Sequence, residues 1–189
     1  MIVCIDPGHG GRDPGAMHAE LVEKDNNLLL AGEIQKVLNG SKRHEVLVTR
    51  IDKYIKSRGR AKYANSINAE VFISVHHNAS EKHRANGFEV LHYPYSRKGI
   101  RLASALVRKV CNKWNIKCRG IKPGYYRGDK SKGILSVLSK TKMPAILIEA
   151  FFVDGSEDYK MFSNIEYRLR YYRLIANSIL EVLDEVDIS

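Results

Sequence analysis

The amino-acid sequence predicts one α/β domain with a mostly parallel, twisted sheet and helices on both faces. The chain has 189 residues, which is about the size of a single domain. Short apolar runs alternate with segments of helical periodicity, and no linker or internal repeat interrupts them. This alternation favours a parallel sheet, because parallel strands need crossover connections that are usually helices. We assign the domain to residues 1–183 and a C-terminal tail to residues 184–189.

The first half of the chain predicts three strands and two helices. Residues 2–6 form an apolar run that ends at a Pro-Gly pair, which is typical of a central strand followed by a loop. After a glycine-rich loop, apolar residues recur at helical spacing from Glu23, and Gly40 favours the end of that helix. The remaining predicted elements are strands at residues 45–49 and 71–75 and a helix over about 57–69.

The second half continues the alternation. Residues 145–151 are apolar except at Glu149, the pattern of a strand buried on both faces. The other predicted elements are a strand at 88–93, an amphipathic helix at 100–114, a loop-like segment at 117–142 with a short strand at 134–138, and a closing helix at 165–183. In open sheets of this kind, ligands bind at the carboxyl ends of the strands. We therefore expect the functional residues there.

Basic residues are concentrated in one segment. The formal net charge is +10, and residues 97–142 contain 14 Lys and Arg against one acidic residue, Asp129. Such density indicates a surface for a polyanion, whether nucleic acid, an acidic membrane or an anionic cell-wall polymer. The alternative interpretation is a solvated helix face.

The sequence also bears on location and redox state. No run of 18 uncharged apolar residues is present, so we expect no membrane insertion. The first residues lack a basic region followed by a long apolar region, which predicts synthesis in the cytoplasm without a signal peptide. The cysteines are odd in number, and Cys4 lies in an apolar strand, so we expect Cys4, Cys111 and Cys118 to be reduced thiols.

Polar side chains mark the predicted strand ends. His9 follows the first strand, His76 and His77 follow the third, and Glu23 begins the first helix. Two histidines and a glutamate form one of the ligand sets of catalytic zinc, although each residue alone has an ordinary structural interpretation. Glu149 needs its own explanation, because an unpaired buried carboxylate costs several kcal/mol. A nearby cation or a role in proton transfer would account for it.

Three strings carry a resemblance to a known family: Ile5-Asp6-Pro7-Gly8-His9-Gly10-Gly11, Glu23-Lys24-Asp25-Asn26-Asn27-Leu28 and Ser74-Val75-His76-His77-Asn78. In this order they resemble the zinc-dependent N-acetylmuramoyl-L-alanine amidases, which cut bacterial peptidoglycan. The resemblance implies one Zn²⁺ held by His9, Glu23 and His76, with Glu149 as the catalytic residue. Strand alternation supports His76, which shares a face with Phe72 and Ser74, while His77 remains an alternative.

The resemblance implies hydrolysis of the amide between N-acetylmuramic acid and L-alanine, which lyses the wall after the protein is released. Since Ala150-Phe151 replaces the usual Gly-Phe, the chain looks more like clostridial or bacillar phage endolysins than autolysins. We hypothesise that Asp6 or Asn78 supports a ligand histidine, as metal-bound imidazoles usually require.

Two alternatives remain: a zinc peptidase acting on other peptides, and a non-catalytic module that binds polyanions. Beside an amidase site, the basic segment 97–142 indicates anionic wall polymers rather than nucleic acid as its partner.

Overall fold

A six-stranded sheet forms the centre of the computed structural model, which describes residues 1–50 and 53–186. The strands are β1 (Ile2–Pro7), β2 (Met17–His18), β3 (Leu21–Val22), β4 (Glu45–Val48), β5 (Val71–Asn78), β6 (Phe88–His92), β7 (Cys118–Pro123) and β8 (Ala145–Phe152). The helices are α1 (Glu23–Gly40), α2 (Ser57–Ser66), α3 (Arg97–Lys113), α4 (Ser136–Ser139), α5 (Ser156–Phe162) and α6 (Ile165–Glu185).

The strand order across the sheet is β4-β1-β5-β8-β6-β7. Every neighbouring pair is parallel except β6 and β8, which are antiparallel. The prediction of an α/β fold with a mostly parallel sheet is therefore confirmed. The short strands β2 and β3 form a separate antiparallel hairpin between β1 and α1.

Two apolar layers cover the sheet unequally. The larger layer packs residues of α1, α3 and α6 against one face, including Ile34, Leu106 and Ile179. The smaller layer places Ala64 of α2 and Leu138 of α4 on the other face. The helices on this second face are short, with 10 residues in α2 and 4 in α4.

The segment at residues 117–142 differs most from the prediction. Residues 118–123 form the edge strand β7, which was predicted as loop because its only large apolar side chain is Ile121. The predicted strand at 134–138 is wrong, since α4 begins at Ser136 and packs its Val137 and Leu138 onto the sheet. Pairing with β6 stabilises β7 through backbone hydrogen bonds, which a pattern of side chains does not reveal.

The prediction that all three cysteines are reduced is wrong for one pair. Cys111 near the end of α3 and Cys118 at the start of β7 form a disulfide, with their Cα atoms 5.7 Å apart. The chain turns back between them, which brings together two residues that are seven positions apart in the sequence. Cys4 is a free, buried thiol as predicted, and burial followed by the charge of Asp6 raises its pKa to about 12.

None of the helices among the described residues is both long enough and apolar enough to span a bilayer. The last three residues of the predicted tail lie outside the described residues, and α6 continues as far as Glu185.

Candidate metal centre and catalytic carboxylate

Three of the predicted residues converge at the carboxyl ends of β1 and β5. Glu23 Oε1 lies 3.1 Å from His9 Nε2 and 2.9 Å from His76 Nδ1. One ligand atom from each of His9, Glu23 and His76 lies within 4.8 Å of the others, so this group could hold a metal ion. His9 comes from the loop after β1, Glu23 from the start of α1, and His76 from β5.

Two glycines make room for these three side chains. A Cβ on Gly8 would lie 2.2 Å from the His76 ring, and one on Gly15 would lie 2.5 Å from Glu23 Oε2. Gly15 also has a φ of +68°, a backbone conformation that other residues rarely adopt. Any larger residue at these two positions would displace His76 or Glu23, so the two glycines allow the histidines and the glutamate to lie this close together.

Burial and hydrogen bonding have opposite effects on the pKa values of Glu23 and His9. Burial alone would raise the pKa of Glu23, but hydrogen bonds with His76 and His9 outweigh it and hold the pKa well below its usual range. Burial alone would lower the pKa of His9, and its contacts with Glu23 and Asp13 raise it instead. Glu23 therefore stays ionised, as a carboxylate ligand must be.

The residue that supports His9 is Asp13, whose Oδ2 lies 3.0 Å from His9 Nδ1. The hypothesis that Asp6 or Asn78 has this role is wrong. Asp6 accepts hydrogen bonds from Thr49, Arg60 and Ser74, and the amide of Asn78 donates to Glu89. Asp13 was missed, although its position four residues after His9 in a glycine-rich loop was a usable signal.

Two buried arginines hold the loop that carries His9. Arg50 donates to the carbonyl oxygens of Pro7 and Gly8 at 2.8 and 2.7 Å. Arg60 donates to the carbonyl oxygens of Pro7 and His9 at 2.6 and 2.5 Å. These charged donors fix the backbone at His9, which has a positive φ of 60°, and so hold its imidazole toward Glu23.

His77 points to the opposite face of the sheet and is 1% exposed. Its Nδ1 lies 2.7 Å from Asn27 Oδ1 on α1, and its Nε2 lies 2.9 Å from the Tyr172 hydroxyl on α6. Both ring nitrogens are therefore engaged beneath the large helical layer. His77 is a packing residue, and the alternative that it replaces His76 beside Glu23 does not fit.

The buried position of His77 predicts a dependence of stability on pH in the metal-free protein. Burial lowers its pKa from the ordinary value of 6.5 to about 3. Between pH 6.5 and pH 3, the unfolded chain therefore binds a proton at His77 that the folded chain does not bind. Lowering the pH from 8 to 5 should remove about 2 kcal/mol of stability through this group. Urea unfolding of the wild type and His77→Gln should show a flatter pH dependence for the variant, and parallel curves would contradict this assignment.

Glu149 lies beside the three converging residues. In the parallel pairing of β5 and β8, Glu149 is directly opposite His76, so both side chains lie on the face where Phe72 and Leu147 pack against α2 and α4. Its Oε2 is buried without a hydrogen-bond partner among the described residues. Burial raises the pKa of Glu149 well above its usual value, and the carboxylates of Glu23 and Glu89 raise it further. A buried carboxyl group with a raised pKa beside two histidines is a candidate for a role in proton transfer.

Glu89 is a second buried acid that the sequence analysis missed. It lies directly opposite Glu149 in the antiparallel pairing of β6 and β8. Its Oε2 accepts hydrogen bonds from Arg119 at 2.5 Å and Lys122 at 2.6 Å, both on β7. Two cations thus compensate a carboxylate that would otherwise repel Glu149. As with Glu149, an acid within an apolar strand was the available signal.

A narrow cleft of about 130 Å³ opens beside His9 and His76. Its other walls include Tyr54 and Ile55 before α2, and Leu135 and Ser136 at the start of α4. Apolar side chains and ionisable groups, among them His9, Asp13 and His76, therefore line the same cleft.

The combination of a His-Glu-His group and a neighbouring buried carboxylate is typical of zinc hydrolases. Residues 3–181 match the model of the N-acetylmuramoyl-L-alanine amidase family. The endolysin of Bacillus phage SPP1 is 32% identical over 97% of this chain and 66% of its own length. The N-acetylmuramoyl-L-alanine amidase LytC of Bacillus subtilis is 29% identical over 88% of this chain and 32% of its own length.

A solved structure agrees with the sequence matches. The N-acetylmuramoyl-L-alanine amidase from Clostridium difficile 630 has a TM-score of 0.85 and 31% identity, with 97% of each chain covered. This chain belongs to the N-acetylmuramoyl-L-alanine amidase family, as its sequence strings predicted. It spans between 32% and 66% of the length of the two sequence relatives named above.

Proposed function

We propose that this chain hydrolyses the amide bond between N-acetylmuramic acid and L-alanine in bacterial peptidoglycan, using one Zn²⁺ held by His9, Glu23 and His76. The observation that carries the proposal is the contact of Glu23 Oε1 with both His9 Nε2 and His76 Nδ1. Two imidazoles and a carboxylate match the preferences of zinc and leave a coordination position for water. Residues 1–183 form the catalytic domain in this proposal.

When bound, zinc supplies a water of lowered pKa and polarises the substrate carbonyl. Glu149 takes the proton from the attacking water and returns it to the nitrogen of the leaving L-alanine. Its position opposite His76 and its raised pKa support this role. Asp13 orients His9 from the far side of the ring.

The same ligand set would also hydrolyse ordinary peptides, so the choice of bond depends on the family match. Purified cell walls should release peptides with a new amino-terminal L-alanine and glycans with a free lactyl carboxyl group. A chelator should abolish the release, and added Zn²⁺ should restore it. New amino termini at other residues would instead favour a zinc peptidase. Salt-sensitive DNA binding without any release would favour a non-catalytic module.

We also propose that the basic segment 97–142 binds anionic wall polymers. Part of this segment is neutralised within the chain, since Lys109 and Lys113 pair with Glu181, and Arg119 and Lys122 pair with Glu89. Among the described residues, Lys117, Arg127 and Lys130 are exposed and form no ion pair. Together with six other exposed cations of the segment that form no ion pair among the described residues, they supply positive charge to an outside polyanion: Arg97, Lys98, Arg101, Arg108, Lys140 and Lys142.

Reversing Lys117, Arg127 and Lys130 to Glu should slow wall lysis several-fold at low salt and much less at high salt. Salt screens exposed charges over about 10 Å at 0.1 M and 3 Å at 1 M, so only an electrostatic contribution fades in this way. The measurement is the initial rate of wall clearing against ionic strength.

A matched control reverses Lys36, Lys62 and Lys160, which are exposed elsewhere on the surface, and changes the net charge equally. If the two triple variants slow wall lysis equally, segment 97–142 is a solvated face and not a binding surface.

A further inference from the structure

A second pair of histidines lies outside the proposed catalytic site. His18 on β2 and His83 in the loop after β5 have ring centroids 6.3 Å apart and ring planes tilted by 33°. The rings of His9 and His76, which share contact with Glu23, have centroids 5.1 Å apart. The ring centroids of His18 and His83 are therefore about 1.2 Å farther apart than those of the two histidines that contact Glu23.

His83 is held in the way that metal-binding histidines usually are. Its Nδ1 lies 2.8 Å from Oδ2 of Asp154, whose side chain is 4% exposed and also accepts from the backbone N–H of Ser80. A carboxylate at Nδ1 places the ring proton there and leaves the Nε2 lone pair available. Within the part of the chain described, no hydrogen bond involves His83 Nε2.

The partner imidazole is also positioned by its neighbours. The Tyr159 ring packs edge-on against His18 with centroids 4.9 Å apart. The Tyr159 hydroxyl donates to Glu20 Oε2 at 3.0 Å, which keeps a carboxylate on the same hairpin close by. Among the described residues, His18 itself makes no hydrogen bond through its ring nitrogens.

We propose that His18 and His83 form a second, weaker site for a transition-metal ion such as Zn²⁺. The centroids of His18 and His83 are 6.3 Å apart and those of His9 and His76 are 5.1 Å apart, so the outer rings must move closer together to share one ion. His83 can make this movement because its side chain is 68% exposed. Two protein ligands leave the remaining positions to water, which makes this site weaker than the three-ligand site.

An ion at this site joins two segments that lead to the catalytic ligands. His18 precedes Glu23 by five residues across the β2–β3 hairpin, and His83 follows His76 by seven residues. Binding only to the folded chain stabilises it by mass action. The second ion therefore ties the hairpin to the loop after β5 and raises the melting temperature beyond the effect of the first ion.

Calorimetric titration of the metal-free protein with Zn²⁺ tests this proposal. We expect two equivalents in the wild type, with the second at least tenfold weaker, and one tight equivalent in His18→Gln and His83→Asn. Asparagine is chosen because position 83 has a positive φ of 50°, which Asn tolerates. Asp154→Asn should weaken only the second equivalent, by about 10–100-fold.

The controls separate this site from the catalytic one. Lys82→Ala changes an exposed neighbour of His83 and should keep both equivalents. His9→Ala should lose the tight equivalent of Zn²⁺ and keep the weak one. Loss of zinc binding at either site can therefore be measured without an assay of wall hydrolysis. A wild type that binds one equivalent, or a His83→Asn variant that still binds two, would overturn the proposal.

Discussion

Glu149→Gln should lower kcat/KM for release of amino-terminal L-alanine by about 10²–10⁴-fold, the usual contribution of a general acid–base group. Glutamine has nearly the same shape but cannot accept the proton of the attacking water. Zinc content should not change, because the three proposed ligands are untouched. The measurement is steady-state hydrolysis of purified walls together with metal analysis, and Glu45→Gln on the exposed part of β4 is the matched control.

The same variant should make the metal-free protein more stable. Because burial raises the pKa of Glu149, the folded state favours the neutral carboxyl, and stability falls as the pH rises from the ordinary carboxyl range to that raised pKa. Glutamine is neutral throughout, so it should gain about 0.5–2 kcal/mol at neutral pH. Wild-type activity in Glu149→Gln would show that Glu149 is not the catalytic carboxylate. A lower free energy of unfolding in this variant would show that the folded protein stabilises the charged carboxylate.

The second large effect is expected at the adjacent histidines. His76→Ala should abolish zinc binding and reduce wall hydrolysis to the level of the chelated enzyme, because it removes a ligand. His77→Ala should keep one tight zinc equivalent and lose about 1–3 kcal/mol of stability, because buried polar groups of Asn27 and Tyr172 lose their partner.

Metal titration and urea unfolding of the two variants separate these outcomes. Asp13→Ala provides a graded comparison, with zinc affinity reduced by about 10–100-fold through loss of the hydrogen bond to His9. Zinc retained in His76→Ala but lost in His77→Ala would reverse the assignment of the ligand.

The positions of the central strands could be predicted from the sequence, because buried strands consist of nearly continuous apolar residues. Residues of β1, β5 and β8 are covered on both faces, so the apolar runs were continuous and their ends carried the polar groups. The edge strand β7 was not predictable in this way, since its stability comes from pairing with β6. The disulfide between Cys111 and Cys118 depended on how α3 and β7 meet in space.

The sequence by itself determined the α/β class and predicted His9, Glu23 and one of the adjacent histidines His76 and His77 as candidate ligands, with Glu149 as the unexplained acid. These follow from local patterns: periodicity, strand ends, a charge among apolar residues, and strings that resemble the family. Only the tertiary structure decided that Asp13 supports His9 in place of Asp6, and that Glu89 with Arg119 and Lys122 borders Glu149. The reason is physical: hydrogen bonds and ion pairs between distant segments depend on strand order and side-chain direction, which the sequence pattern does not contain.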